Sequence, residues 1–181
     1  MQYEVPILFL IFNRADTARR VFAEIRKQKP KYLYVAADGP RKHIAGEKEK
    51  CEQTREIIKD IDWDCELKTL FREENLGCGK AVSGAISWFF ENVSEGVILE
   101  DDCLPEPTFF RYCQEMLERY REKEKVGIIS GNNFLFNKFN IEDSYYFSKI
   151  PHIWGWATWR RVWNNYDFNI SDYLKINDNE M

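Results

Sequence analysis

Closely spaced cysteine pairs are absent from this sequence, which contains no C-x-x-C motif. Structural zinc sites usually draw on such pairs, so a zinc site is not expected. The cysteines are odd in number and widely separated: Cys51, Cys65, Cys78, Cys103 and Cys113. In a chain of 181 residues this pattern is typical of reduced, structural thiols, and we therefore expect a cytoplasmic protein.

Long apolar runs and an excess of basic charge are also missing. The apolar run at residues 5–12 is too short to cross a bilayer, and no basic region precedes it. It predicts a buried strand rather than a signal or transmembrane segment. The formal net charge is -4, which argues against nonspecific binding of nucleic acid because such binding requires a basic face.

The glycine motifs that bind phosphate in common nucleotide-binding folds are incomplete. Gly79-Lys80 is followed by Ala81 where a P-loop needs Ser or Thr, and Glu74 stands where it needs its first glycine. The segment FNRADTARR has no glycine, which excludes the dinucleotide-binding motif and disfavours a sugar-activating nucleotidyltransferase. Its Asn13 and Arg14 stand where a receiver-type phosphoacceptor domain would carry acids.

Short apolar runs alternate with amphipathic stretches along the first 131 residues. Strands are predicted at residues 5–12, 32–38, 65–71, 96–100 and 126–131, and helices at residues 15–28, 54–61, 79–93 and 108–123. This alternation predicts an α/β fold in which helices flank a mostly parallel sheet. Residues 132–181 are rich in aromatic side chains and asparagine and lack the alternation, so we expect them to lie over one edge of the sheet.

Polar residues follow each of the five predicted strands. Ligands of open α/β sheets bind at the carboxyl ends of the strands, so these residues are candidates for a site. A solvated loop would explain any one of them taken singly, whereas five at one edge favour a site. They are Asn13 and Arg14; Asp38, Gly39 and Arg41; Arg72, Glu73, Asn75, Gly77 and Gly79; Glu100, Asp101 and Asp102; and Ser130, Gly131 and Asn132.

Three consecutive acids, Glu100, Asp101 and Asp102, end the fourth predicted strand. Adjacent carboxylates repel one another and would also repel a diphosphate. A bridging Mg²⁺ or Mn²⁺ would reconcile them, because these ions take carboxylate and phosphate oxygens together. A solvated acidic turn is the alternative.

Two other stretches suit a ligand. Residues 75–79, NLGCG, precede a helix that opens with Lys80, so backbone and helix N-terminus could approach an anion, although a plain glycine-rich loop is also compatible. Trp154-Gly155-Trp156 suits a loop that folds over a flat ring. Trp159 and Trp163, four residues apart, are interpreted as the core face of a helix.

Several segments in this order resemble the GT-A glycosyltransferases that use nucleotide-diphosphate sugars. The closest likeness is to a bacterial group of sugar transferases, and a more distant one is to N-acetylglucosaminyltransferase I. The segments span residues 4–168 and are FNR, AADGPR, FREENLGCGKAVSGAISWFF, VILEDDCLPEPTFFRYC, SGNNF and PHIWGWATW. The resemblance implies one GT-A (Rossmann-like) domain over residues 1–181, with a nucleotide-sugar-binding core at 1–131 and a donor-closing and acceptor segment at 132–181 that is incomplete at its C-terminus.

The resemblance also implies roles for individual residues. Asp102 would be the direct ligand of Mn²⁺ or Mg²⁺, with Glu100 and Asp101 near the ribose or donor sugar, and Asp38 would hold the nucleotide base. The remaining residues implied to bind the nucleotide or donor are Asn13, Arg14, Arg72, Asn75, Gly77 and Lys80, and those of the closing loop and acceptor site are Trp154, Gly155 and Trp156.

The implied activity is metal-dependent transfer, with inversion, of a hexosyl or N-acetylhexosaminyl group from a uridine-diphosphate sugar to a hydroxyl of a glycan or other acceptor. In inverting relatives a carboxylate beyond the Gly-Trp loop acts as the base. Asp167 and Asp172 are weak candidates here, and the base is otherwise expected after Met181. The alternative is a nucleotide-sugar or glycan-binding module without transferase activity.

Overall fold

The computed structural model describes residues 2–135 and 143–171, which form a six-stranded sheet in the order β3-β2-β1-β4-β6-β5. Strands β1 to β4 pair in parallel, while β6 runs antiparallel to both β4 and β5. The predicted α/β class with a mostly parallel sheet is confirmed. The strands are β1 Ile7–Ile11, β2 Tyr32–Ala37, β3 Glu66–Phe71, β4 Glu95–Glu100, β5 Ile128–Ser130 and β6 Trp156–Trp159.

The helices connect these strands and cover both faces of the sheet. They are α1 Ala15–Gln28, α2 Glu47–Arg55, α3 Cys78–Asn92, α4 Pro107–Tyr120 and the short α5 Arg160–Trp163. The helix predicted at residues 54–61 was wrong in its bounds, because α2 begins at Glu47 and residues 56–60 form a 3₁₀ helix. None of the helices in the described part of the chain has the length and apolarity needed to cross a bilayer.

Strand β1 shows how the layers are arranged. All five of its residues are buried, and in a strand successive side chains point to opposite faces. Ile7, Phe9 and Ile11 belong to a core shared with α1 and α4, whereas Leu8 and Leu10 belong to a second core shared with α3. A strand covered on both faces therefore reads as a continuous apolar run in the sequence.

Strand β6 was not predicted. It lies inside the sheet, with Glu95 of β4 opposite Trp159 and Ser130 of β5 opposite Trp156. The interpretation of Trp159 as a helical residue was wrong, since it ends β6 with its side chain buried, and only Trp163 lies on a helix. Four residues without polar alternation carry little strand signal, and the flanking strands supply the hydrogen bonds that define it.

Candidate functional site

The candidate site lies at the carboxyl ends of the parallel strands, at the point where the order of the strands reverses. Strand β1 has β2 on one side and β4 on the other. Such a reversal in strand order leaves a crevice between the loops that follow the two inner strands. Here those loops carry Asn13 and Arg14 after β1 and the acids Asp101 and Asp102 after β4.

Arg14 binds two of the three acids. Its Nη2 contacts Oδ1 of Asp101, whose side chain is almost fully buried, and its Nη1 lies 3.0 Å from Oδ2 of Asp102. The backbone N–H of Phe12 also donates to Oδ2 of Asp101, at 3.2 Å. Asp101 therefore ties the loop after β4 to the loop after β1, whereas half of the Asp102 side chain stays exposed.

The pKa values of two acids in this cluster are raised, with different neighbours contributing to each. Burial raises the pKa of Glu100, and the charges of Asp102 and Asp101 raise it further. Burial also raises the pKa of Asp101, despite the opposing effect of the Arg14 guanidinium. A positive charge added near Asp102 would relieve the repulsion that Glu100 experiences.

Carboxylate oxygens, a ligand type that Mg²⁺ and Mn²⁺ take, are the donors that this cluster offers. Asp102 combines an accessible carboxylate with an existing cationic neighbour, Arg14. No group of three or more His, Cys, Asp or Glu residues suitable for holding a metal occurs within residues 2–135 and 143–171. Mg²⁺ and Mn²⁺ are commonly held by one or two carboxylates together with substrate phosphates rather than by a complete protein cage.

Asp38 holds the neighbouring loop in place. Its carboxylate accepts hydrogen bonds from the backbone N–H groups of Gly39, Leu76 and Gly77 and from the side-chain Nδ2 of Asn75, at 2.9–3.1 Å. The backbone of Gly39 in turn packs so closely on Glu74 that a Cβ there would lie 2.3 Å from the Glu74 carbonyl carbon. The structure thus brings Asp38, Asn75 and Gly77 together, and the Asp38 carboxylate accepts its hydrogen bonds from the protein itself.

Glu47 is a buried acid at this edge of the sheet that the sequence did not single out. Its side chain is 2% exposed and binds Arg41 through the backbone N–H at 2.7 Å, through Nε at 3.0 Å and through Nη2. Asn13 Nδ2 donates to the same carboxylate at 3.0 Å. The hydrogen bonds from Arg41 lower the pKa of Glu47 to about 2. The sequence KHIAGEKEKCE carries no sign that this glutamate, among its charged neighbours, is the buried one.

Arg55 is a second residue without a sequence signal. Its Nη2 donates to the carbonyl oxygens of Asp38, at 3.0 Å, and Arg72, at 2.6 Å, and so joins the ends of β2 and β3. The predicted binding residue Arg72 directs its own Nη1 to the carbonyl of Ala81 in α3, at 3.4 Å. Lys80 is exposed at the start of α3.

The Trp-Gly-Trp segment is divided between two environments. Trp154 is 67% exposed, whereas Trp156 is 6% exposed in β6 and packs in the core that includes α3. Gly155 between them has a φ of +71°, a backbone conformation that favours glycine. The expectation that both indoles belong to a closing loop is corrected for Trp156, because the pairing of β6 buries it.

A cavity of about 1630 Å³ opens beside Asp102 on the side away from β2. Small-molecule sites usually measure about 300–1,000 Å³, so this cavity has room for more than one ring. Of the predicted site residues, the described lining includes Asp102, Ser130, Gly131, Asn132, Trp154 and Gly155. Aromatic and amide side chains contribute much of the rest, among them Phe109, Tyr112, Asn133 and Phe147.

Of the two candidates for a catalytic base, only Asp167 lies within the described residues. Asp167 accepts hydrogen bonds from the backbone N–H groups of Asn169, at 2.9 Å, and Ser171, at 2.5 Å, and so caps its own turn. Asp172 lies outside the described residues.

Comparison with known proteins finds structures that resemble this chain but no family to which it can be assigned. No family model matches the chain, and no curated protein matches it. Solved structures whose backbone superposes on this chain include the 4-diphosphocytidyl-2C-methyl-D-erythritol synthase of Anaerococcus prevotii DSM 20548, at 10% identity and a TM-score of 0.48. The match covers 87% of this chain and 73% of that one. A likeness at this level says nothing about the reaction or substrate of this chain.

Proposed function

We propose that this chain is a metal-dependent glycosyltransferase that moves a hexosyl or N-acetylhexosaminyl group from a uridine-diphosphate sugar to an acceptor hydroxyl, with inversion. The observation that carries the proposal is the position of Asp102. It stands half exposed at the end of β4, beside the cation Arg14, with the loops after β1 and β2 on one side and the large cavity on the other.

The loops after β1, β2 and β3 form the donor side of the proposed site. Asp38 and Arg55 hold these loops together through hydrogen bonds to their backbone groups. Loops held this way are already ordered, so the binding free energy of a nucleotide is not reduced by the entropy of ordering them. Asn13, Arg14 and Lys80 are the polar side chains that these loops present in the proposal.

The cavity forms the acceptor side. Exposed rings at its border, Trp154 at 67% and Phe147 at 69% exposure, can pack on the apolar face of a sugar. Amide groups such as those of Asn132 and Asn133 can pair with hydroxyls. A glycan has both features, so we propose a glycan as the acceptor.

In this proposal Asp102 would hold Mn²⁺ or Mg²⁺ together with the diphosphate of the donor, and Glu100 and Asp101 would lie near the ribose or donor sugar. When bound, the ion acts as a Lewis acid that offsets the charge of the departing diphosphate. Arg14 adds a guanidinium beside the same acids, and a cation so placed stabilises developing negative charge. We assign no described residue as the base.

Calorimetric titration of uridine diphosphate in the presence and absence of Mn²⁺ tests the donor side. We expect Mn²⁺-dependent binding to the wild type and none to Asp102→Ala, with Asp62→Ala as control because Asp62 is paired with Arg26 on the surface. Equal affinity of wild type and Asp102→Ala would contradict the proposal.

Hydrolysis of a panel of nucleotide sugars with Mn²⁺ separates the enzyme from a binding module. Slow release of the sugar from one donor, lost in Asp102→Ala, is the expected result. Binding of the donor with no hydrolysis and no transfer to any glycan would favour the module without transferase activity.

A further inference from the structure

The cavity beside Asp102 extends along helix α4. The residues of α4 that line it recur at intervals of three or four positions and so share one face of the helix; they are Phe109, Tyr112, Met116 and Tyr120. At 1.5 Å per residue, Phe109 and Tyr120 are about 16 Å apart along the helix axis. The three residues of β5 line the same cavity. The cavity is therefore long enough to have two distinct ends.

One end lies at the proposed site and is polar. A Cβ on Gly131 would lie 2.7 Å from the Phe109 ring, and the N–H of Gly131 donates to the carbonyl of Gly155 at 2.9 Å. These contacts bring the end of β5 and the segment before β6 to the start of α4, which follows Asp102 after a short loop. The lining here includes Asp102, Ser130 and Asn132, which can pair with the hydroxyls of a sugar.

The other end lies against the last turn of α4 and is formed by aromatic rings. The Tyr120 ring centroid lies 5.7 Å from that of Phe147 and 6.3 Å from that of Tyr145. The hydroxyls of Tyr120 and Tyr145 are hydrogen-bonded to each other at 2.7 Å, and Arg119 Nη1 donates to the Tyr145 hydroxyl at 3.1 Å. Because these hydroxyls already have partners within the protein, this end offers a ligand mainly apolar surface.

Two apolar side chains of the lining are strongly exposed to water. Phe147 lies at the aromatic end and Ile150 follows three residues later, with 68% of its surface exposed. Single exposed apolar residues are ordinary, but several around one cavity are typical of a binding site. Ile150 has no ring face on which a sugar could stack, and an aliphatic group of this kind packs against hydrocarbon.

An oligosaccharide is the main alternative occupant of the aromatic end. Its hydroxyls would need hydrogen-bonding partners there, because a polar group that loses water without a new partner weakens binding. The charged lining residues outside the loop after β4 are Lys125, Asp143 and Lys149, and all three are exposed. Hydrogen bonds to them would compete with water, so the lining favours hydrocarbon over a further sugar.

We propose that the acceptor is a glycan linked to a hydrocarbon chain, with its sugar at the Asp102 end of the cavity and its chain along α4 toward Tyr120. This inference rests on the proposed function and adds the chemical class of the acceptor. The volume of about 1630 Å³ exceeds that of an ordinary small-molecule site and leaves room for a chain beside the sugar. Packing the chain against Phe147 and Ile150 removes apolar surface from water on both partners.

Calorimetric titration with butyl, hexyl and octyl β-glucosides, below their micellar concentrations, tests the inference without requiring catalysis. A fully buried methylene group raises affinity about fourfold. We expect the octyl compound to bind at least about tenfold more tightly than the butyl compound, since four methylene groups separate them and burial is partial. Glucose, maltose and maltotriose are titrated in parallel as ligands that lengthen by sugar units.

Variants at the two ends of the cavity separate the chain from the sugar. Phe147→Ser and Ile150→Ser should each lower the affinity for octyl glucoside about threefold to tenfold, and that for butyl glucoside by less. Trp154→Ala, near the Asp102 end, should weaken all three glucosides by a similar factor and so preserve the gain with chain length. Circular dichroism confirms that the variants fold.

Ile44→Ser is the matched control for Ile150→Ser. Ile44 is also an exposed isoleucine, at 41%, but it lies on the loop after β2 and does not line the cavity. This substitution should leave the affinity for each glucoside unchanged. An equal loss in Ile44→Ser and Ile150→Ser would overturn the inference, because the effect would not be specific to the cavity.

Three further results would also overturn the inference. They are equal affinity for butyl and octyl glucoside, no binding of octyl glucoside below its micellar concentration, and a larger gain from glucose to maltotriose than from butyl to octyl glucoside. The proposed function stands in each case if uridine diphosphate binds with Mn²⁺. If uridine diphosphate does not bind, the proposed function fails, and a ligand of the cavity is then not its acceptor.

Discussion

Arg14 Nη1 lies 3.0 Å from the Oδ2 atom of Asp102, so a side-chain cation already occupies the neighbourhood of the proposed metal ligand. A bound Mn²⁺ would compete with this guanidinium for the same carboxylate. We therefore expect Arg14→Ala to bind Mn²⁺ about two- to fivefold more tightly in the absence of nucleotide, the equivalent of an exposed ion pair of about 0.4–1 kcal/mol. Calorimetric titration with Mn²⁺ measures this difference in affinity.

Arg26→Ala is the matched control for this change. Arg26 and Arg14 have equally exposed side chains, at 49%, and both pair with aspartates, but Arg26 lies at the other end of α1. Its removal should leave the Mn²⁺ affinity unchanged. Weaker binding in Arg14→Ala than in Arg26→Ala would show that Arg14 does not compete with the ion.

Asp38→Asn should destabilise the loop at residues 74–77. Asparagine replaces an acceptor oxygen with an NH₂ group, so N–H donors of Leu76 or Gly77 lose their partner. We expect a loss of about 1–3 kcal/mol in the free energy of unfolding, measured by urea denaturation. Hydrogen exchange at Leu76 and Gly77 should accelerate as well. A loss no larger than that of Asp62→Asn, whose partner Arg26 is on the surface, would contradict the assignment.

Glu47 predicts an acid dependence of stability. Its pKa is lowered in the folded protein to about 2 from an ordinary value of 4.5, chiefly by hydrogen bonds from Arg41. The folded state therefore binds fewer protons than the unfolded state between these values, and stability is lost as the pH falls. The contribution is fully present above about pH 5 and disappears progressively toward pH 2.

Urea denaturation at a series of pH values checks this dependence. In Glu47→Gln the part of the slope due to this carboxylate should be absent, whereas Glu91→Gln, which changes an exposed carboxylate on α3, should keep the slope of the wild type. Identical slopes in the wild type and Glu47→Gln would show that the interaction between Glu47 and Arg41 does not depend on the charge of Glu47.

Trp154 and Trp156 should respond differently to truncation. Trp156→Ala removes a buried ring that packs in the core with α3, and we expect a loss of about 3–5 kcal/mol in the free energy of unfolding. Trp154→Ala removes an exposed ring and should change this free energy by less than about 0.5 kcal/mol. Thermal and urea denaturation of the two variants measure the difference.

The effect on a bound glycan should follow the opposite order. Trp154→Ala should weaken acceptor binding at the cavity, measured as a higher KM for the glycan, because the ring borders the cavity and Trp156 does not. An unchanged KM in Trp154→Ala would remove Trp154 from the acceptor site.

Much of the site could be predicted because its residues follow strands that have a local signal. Apolar runs of strand length identified β1, β2 and β4, and the residues after them include Arg14, Asp38 and Asp102. The long-range hydrogen bonds of these residues could not be predicted in the same way. Glu47 bonds to Asn13, 34 residues away, and Asp38 bonds to Gly77, 39 residues away. A polar residue gives no sign in the sequence of which distant partner will satisfy it.

The sequence by itself determined the alternation of β1 to β5 with the helices between them, the parallel pairing of β1 to β4, and the presence of three acids at the end of a buried strand. These follow from periodicity and apolar runs, which act over a few residues. Only the tertiary structure decided that β6 lies inside the sheet, that Trp156 is buried while Trp154 is exposed, and that Glu47 is the buried acid of its segment. These outcomes depend on backbone and side-chain partners that folding brings together from distant parts of the chain.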